Sequence, residues 1–156
     1  MPETWFFRDR PAFDALAQHV VGPWSQAHPG ATFRVLSIPC STGEEAYSIA
    51  MALALAGWPL KSVQIDALDI SRENLARARR GIYGRNSFRG SDLAFRATFM
   101  ESAGDDTWRV NDRVREPVRF DQGNLLAEDF PLGRLGYDAI FCRNLLILSL
   151  IHISEP

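Results

Sequence analysis

Apolar positions Phe13, Leu16, Ala17 and Val20 recur at helical spacing, and Gly22-Pro23 ends that pattern before the turn His28-Pro29-Gly30. The pattern then changes to a short apolar run, Phe33 to Ile38, which reads as a buried first strand. A helix is expected over Gly43 to Ala56, stopped by Gly57 and Pro59. Val63 to Ile70 reads as a second strand finishing on an acid, Asp69. Ser71 is placed to cap a helix through Arg80, with Glu73 in its first turn and Arg77, Arg79 and Arg80 in its last, the charge order a helix dipole prefers.

From Gly81 to Pro117 the pattern weakens. Gly84-Arg85-Asn86 and Gly104-Asp105-Asp106 are turn material, and Thr107 to Val110 with Arg113 to Arg115 suggest a small antiparallel hairpin. Val118 to Phe120 is a weaker strand followed by the polar turn Asp121 to Asn124, and Tyr137 to Cys142 is apolar enough to lie centrally in a sheet. The alternation predicts an α/β fold with an open parallel sheet.

At 156 residues the chain is one domain's worth, and a formal net charge of -2 argues against nucleic-acid binding by bulk electrostatics. Its 17 basic residues are mostly arginine and clustered, so local basic patches stay open. Cys40 and Cys142 each end an apolar run and read as small buried residues rather than a disulfide. His19, His28 and His152 lack ligand spacing, so no metal site is expected. The longest apolar stretch, Leu145 to Ile151, is far short of the ~20 residues of a membrane span, and no signal peptide is visible. A cytoplasmic protein without membrane insertion is expected.

The candidate chemistry gathers at strand ends. In doubly wound sheets, ligands lie outside the carboxyl ends of the strands, and a strand-turn-helix unit usually holds phosphate there. Here Glu44 and Glu45 occupy the helix start, which disfavours a pyrophosphate and suits a ligand carrying positive charge, such as S-adenosylmethionine with its sulfonium and amino groups. The plainer alternative is an ordinary βα turn whose acids favour the helix dipole. Asp69 is suited to accept ribose hydroxyls, or else to cap the next helix. Asn124 with Leu125, and Arg143-Asn144, follow the third and fourth strands, so polar groups end four successive strands. At the start of the chain, Trp5-Phe6-Phe7 either packs on the domain or anchors a lid in which Thr4 and Arg8, four apart and on one face if helical, reach over a ligand.

These motifs in this order resemble the CheR family of chemoreceptor glutamate methyltransferases. The matching stretches are E-T-W-F-F-R-D at Glu3 to Asp9, S-T-G-E-E-A-Y-S-I-A at Ser41 to Ala50, L-D-I-S at Leu68 to Ser71 and A-R-R-G-I-Y at Ala78 to Tyr83. G-N-L-L at Gly123 to Leu126 and Y-D-A-I-F-C-R-N at Tyr137 to Asn144 complete the set. The resemblance implies a class I, Rossmann-like methyltransferase fold with a small β insertion. It implies transfer of a methyl group from S-adenosylmethionine to glutamate side chains of a chemoreceptor or receptor-like sensor. By position, Thr4, Arg8, Glu45, Asp69, Asn124, Leu125, Cys142, Arg143 and Asn144 are implied as cofactor contacts, with Arg8 also a candidate for orienting the acceptor.

The organisation expected is a lid and helical lead-in over 1–30, a partial catalytic domain over 31–147 with an insertion at about 84–117, and a tail over 148–156 unlike the family. The family's sheet has seven strands and this chain supplies about four, so the sheet is expected to be incomplete at the C-terminus, with the fourth strand's outer edge unpaired and low stability. Arg85, Arg89 and Arg96 in the insertion either serve an acidic partner or form a solvated surface. Two other readings stay open: methyl transfer to another acceptor, and a cofactor-binding regulatory module without turnover.

Overall fold

The computed structural model describes residues 4–123 and 136–142, and the backbone of 145–148. The main sheet has the order β6-β2-β1-β7-β8. Its members are β1 (Phe33–Ser37), β2 (Val63–Asp69), β6 (Val118–Gln122), β7 (Ala139–Cys142) and β8 (Leu145–Leu148). All neighbours run parallel except β8, which folds back antiparallel on β7 with Cys142 opposite Leu145 and Ala139 opposite Leu148. The expected sheet edge therefore moves outward: β7 is paired on both sides, and the sheet has five strands among the described residues. The apolar run Leu145–Leu148 supplies the missing partner, and its last residue falls within the segment expected to be a tail.

The chain builds β1, β2 and β6 to one side and then places β7 on the other side of β1. This reversal between β1 and β7 is the topological switch point, where a crevice opens outside the strand ends.

The N-terminal helix continues through the expected stop at Gly22-Pro23. It runs as α1 (Arg10–Ala15), a π-helical turn over Leu16–Val20, and α2 (Val21–Ala27). The π turn closes through the Val21 N–H on the Leu16 carbonyl, so Pro23 falls in the first turn of α2, where its missing N–H is not needed. The first strand, the first α/β helix and the cap of the next one agree with expectation. Helix α3 spans Glu44–Leu55, and every residue from Glu44 to Leu53 is buried, because the helix is covered by the sheet on one side and by the N-terminal helix and its aromatic residues on another. Helix α4 (Arg72–Arg80) starts where the Ser71 hydroxyl accepts the Asn74 N–H and ends at left-handed Gly81.

The weak central stretch holds a second, antiparallel sheet of order β3-β5-β4, with β3 (Ile82–Tyr83), β4 (Met100–Gly104) and β5 (Thr107–Val110). Between β3 and β4 lies α5 (Ala94–Phe99), and after β5 comes α6 (Asp112–Arg115). The expected hairpin is thus corrected. Thr107–Val110 pairs with β3 and β4, and 113–115 is helical because the Asn111 side chain accepts the Val114 N–H and caps that turn.

A glycine is required at one junction. Gly43, at φ 98°, sits where a Cβ would lie 2.8 Å from the Tyr83 hydroxyl and 2.9 Å from Ala78 Cβ. The left-handed backbone and the missing side chain together let the β1–α3 turn press onto α4 and the small sheet. Gly43→Ala is expected to cost about 2–5 kcal/mol, from roughly 1–2 of backbone strain and 1–3 of overpacking. Urea unfolding of the two proteins measures it, and a loss below about 0.5 kcal/mol contradicts this packing.

Candidate functional site

The turn from β1 into α3 brings the predicted acids to one place. At the end of β1 the Ser37 hydroxyl donates to Glu45 Oε1 at 2.7 Å, and both residues are buried. Asp69, at the end of β2, is 5% exposed. Its Oδ2 accepts the Ser41 N–H at 2.7 Å and its Oδ1 accepts the Ser71 N–H at 2.9 Å. Asp69 therefore ties the first turn to the second. A carboxylate has about four acceptor sites, so these two amides leave capacity for a ligand's hydroxyls.

Backbone bonds lock the same edge. The Ile38 N–H donates to Phe141 O, the Cys40 N–H to Leu68 O and the Gly123 N–H to Asp69 O. Phe141 is the register partner of Ser37, which puts half-buried Cys142 level with Ile38 at that edge. Gln122, opposite Asp69 in register, donates to Ile70 O.

The electrostatics of the turn are acidic. Burial pushes the Cys40 thiol up, and the negative charges of Asp69, Glu45 and Glu44 push it further the same way. Cys40 is consequently a neutral, buried thiol rather than a nucleophile. Ser41 has φ 52°, uncommon for a residue other than glycine. Among the described residues its hydroxyl is buried without a hydrogen-bond partner. An orphaned hydroxyl beside Asp69, in a field set by three carboxylates, suits a ligand that offers hydroxyl and cationic groups and disfavours a phosphate.

Glu44 and Glu45, grouped together by sequence, take different roles. Glu44 turns toward the small sheet, where the Thr42 hydroxyl donates to Oε1 at 2.6 Å and the Ser87 hydroxyl to Oε2 at 2.8 Å. The Tyr83 hydroxyl donates to Thr42 O at 2.7 Å, and the Ser87 carbonyl accepts the Phe6 N–H at 2.9 Å. Glu44 thus joins the α3 start, the small sheet and the N-terminal segment. Burial raises its pKa, while the two hydroxyls, its own N–H and the Arg77 charge pull it back. Ser37, Ser41, Thr42, Tyr83 and Ser87 were not anticipated as site residues. Ser37 shows as a polar residue at the end of an apolar run, but nothing local in the sequence marks Ser87, 43 residues from its partner.

The N-terminal segment packs rather than dangles. Phe6 stacks on Phe88 at 5.3 Å and meets Tyr83 edge-on, and Phe7 meets Phe13 and Phe95 edge-on. The Phe7 N–H donates to the buried Ser48 hydroxyl. Residues 6–9 form a turn with Phe7 at φ 55°, and the helix starts only at Arg10. The single helical face imagined for Thr4 and Arg8 is therefore absent, because burying both Phe6 and Phe7 requires that turn. Thr4 is half-buried, and exposed Arg8 lies 4.9 Å over the Trp5 ring, which Arg89 also approaches at 4.4 Å. Arg96 lies over Phe88 and Trp108, and Arg85 pairs with Asp106 at 3.7 Å. Arg85, Arg89 and Arg96 thus all have internal contacts. Asn124, Leu125, Arg143 and Asn144 lie outside the described residues. No helix among the described residues is long and apolar enough to cross a membrane.

The family described as CheR methyltransferase, SAM binding domain, matches residues 2–149. The chain is 46% identical over 147 residues to a probable biofilm formation methyltransferase WspC of Pseudomonas aeruginosa, covering 94% of this chain and 35% of that protein. Its identity to the chemotaxis protein methyltransferase 2 of Vibrio cholerae is 38% over 150 residues, covering 93% and 51%. A third relative, the chemotaxis protein methyltransferase 1 of Pseudomonas aeruginosa, is 34% identical over 151 residues, covering 93% and 54%. The chain therefore spans about a third to a half of the length of these relatives.

The raised pKa of Glu44 yields a signed pH dependence. The native state holds the Glu44 proton more tightly than the unfolded chain. Its stabilising share is therefore complete below the ordinary value of 4.5 and is lost as the pH rises through the raised value. Glu44→Gln keeps the shape and can still meet both hydroxyls, so its stability relative to the parent should improve as the pH rises above 4.5 and level off once the raised value is passed. Urea unfolding across that range is the measurement, and parallel curves for the two proteins contradict the assignment.

Proposed function

Because this chain belongs to the CheR methyltransferase family, we propose that it is the cofactor-binding part of an enzyme that methylates glutamate side chains of chemoreceptors or receptor-like sensors in chemotaxis-type signalling. The observation that carries this reading is the convergence of Glu45, Asp69 and the partnerless Ser41 hydroxyl on one turn at the strand ends.

The residues present fit S-adenosylmethionine. Bound there, it supplies a methyl group on a sulfonium, an electrophile that is also a good leaving group. Glu45 contributes negative charge toward the ligand's cationic groups, and the Ser37 hydroxyl fixes its orientation. Asp69 is positioned by two amides and accepts ribose hydroxyls with its remaining lone pairs. Asn124 and Leu125, which follow β6 in the sequence, are assigned to the adenine, and Cys142, Arg143 and Asn144, at and after the end of β7, are assigned to the cofactor as well. Thr4 and Arg8 cover the ligand, anchored by the packed Phe6 and Phe7.

The acceptor glutamate is ionised at neutral pH and already nucleophilic, so the protein has no proton to remove. Its task is placement: holding the acceptor oxygen in line at ~3–3.5 Å is the main requirement. Arg8 orients the acceptor carboxylate through a charge-assisted hydrogen bond.

Two measurements test this. Glu45→Gln and Asp69→Asn should each weaken S-adenosylmethionine binding about tenfold or more in a calorimetric titration, since each removes a charged hydrogen-bond acceptor worth about 1.5–3 kcal/mol. Unchanged affinity in both removes the site assignment. Incubating the protein with radiolabelled methyl donor and candidate receptor cytoplasmic domains should place base-labile label on the receptor, as a methyl ester requires. Base-stable label, or label only on another class of acceptor, rejects the glutamate reading.

A further inference from the structure

The turn between β1 and α3 carries an unusual residue at its second position. The Gly43 N–H donates to the Cys40 carbonyl at 3.0 Å, closing a four-residue turn in which Ser41, at φ 52°, is left-handed and Thr42 is not. Positive φ at the second residue alone is the II′ pattern, and glycine normally fills that place because a Cβ is strained there. Ser41 keeps a side chain despite the strain, and its hydroxyl is the one buried without a partner among the described residues. A strained residue persists only where its surroundings over-determine it.

Part of what holds Ser41 comes from the strand ends: Asp69 accepts its N–H, and the Cys40 N–H before it donates to Leu68 O at 2.8 Å. The other part comes from the chain beyond α4 and acts through Thr42. From β3 the Tyr83 hydroxyl donates to Thr42 O at 2.7 Å. The Thr42 hydroxyl donates to Glu44 Oε1 at 2.6 Å, and the Ser87 hydroxyl fixes that carboxylate by donating to Oε2 at 2.8 Å. Thr42 is thereby anchored at both its carbonyl and its side chain. Thr42, Glu44, Tyr83 and Ser87 are all buried, so a partner lost from this chain of bonds leaves an unmet polar group. The approach is close because Gly43 has no side chain, and a Cβ there would meet the Tyr83 hydroxyl at 2.8 Å.

We propose that Tyr83 and Ser87 are positioning residues for the cofactor: by anchoring Thr42 they hold Ser41 left-handed, with its N–H on Asp69 and its hydroxyl presented to the ligand. This rests on the cofactor site proposed above and adds to it a part played by the small sheet, which contributes to affinity through the shape of the turn. Tyr47 supplies an internal comparison. Its hydroxyl is also buried and donates to Ala78 O at 2.8 Å, so it stabilises the same region without bonding the turn.

The test is a calorimetric titration of the full chain with S-adenosylmethionine, together with amide hydrogen exchange at Ser41 in the ligand-free protein. Tyr83→Phe and Ser87→Ala should each weaken binding about fivefold, the worth of one hydrogen bond, while Tyr47→Phe stays within about twofold of the parent. Exchange at Ser41 should be about fivefold faster in the first two variants than in Tyr47→Phe. Tyr83 and Ser87 reach Thr42 through different atoms, so either variant suffices should the other fail to fold. Equal losses of affinity in all three variants assign the two residues to general stability and overturn the proposal. Affinity lost in Asp69→Asn but kept in Tyr83→Phe and Ser87→Ala overturns the positioning role alone, whereas affinity kept in all of them, Asp69→Asn included, overturns the cofactor site with it.

Discussion

Burying two adjacent carboxylates at the start of α3 is the constraint around which the chain is organised. Each carries a desolvation cost of several kcal/mol unless it is hydrogen-bonded. The protein meets that cost with hydroxyls recruited from three directions: Ser37 from the end of β1, Thr42 from the turn itself, and Ser87 from the short helical turn after β3. The positive end of α3 lowers the cost further. Were the small sheet displaced, Glu44 would lose Ser87, so the position of the accessory sheet is fixed by a charge in the main domain.

That coupling explains why the N-terminal segment is so aromatic. Phe6 bonds through its backbone to Ser87, the residue that holds Glu44, and packs on Phe88 and Tyr83 beside it. Phe7 bonds to Ser48 one turn further along α3. The segment carrying Thr4 and Arg8 is thereby registered against the same helix that carries Glu45. A segment built this way is positioned by core packing, which holds the backbone that carries its polar residues in one place.

The acidic strand ends and the pair Arg79 and Arg115 beside β6 are two electrostatic environments of opposite sign on a chain of nearly balanced charge. Net charge averages them away. Their separation follows from topology: the parallel strands place their carboxyl ends, with Glu45 and Asp69, at one edge. The C-termini of α4 and α6 bring Arg79 and Arg115 to the flank of β6.

Most of the main sheet was legible in the sequence, because β1, α3, β2 and α4 are each set by local signals: apolar runs, Gly43 and Gly57 as boundaries, and Ser71 as a cap. The acids Glu45 and Asp69 were legible too, since a parallel sheet sends the ends of consecutive strands to one side. Long-range partnerships decided the rest. The helix through Pro23 depended on a π turn that spared the missing N–H. The strands Ile82–Tyr83 and Met100–Gly104 have too few residues to show a pattern before Thr107–Val110 pairs with both. The division of labour between Glu44 and Glu45 was set by hydroxyls 43 residues ahead of one and 8 residues behind the other. Sequence fixes what a residue can donate or accept, and its local backbone preference; which buried partner it meets is settled only when the whole chain closes, because the energy of an unmet charge is spent across tertiary distances.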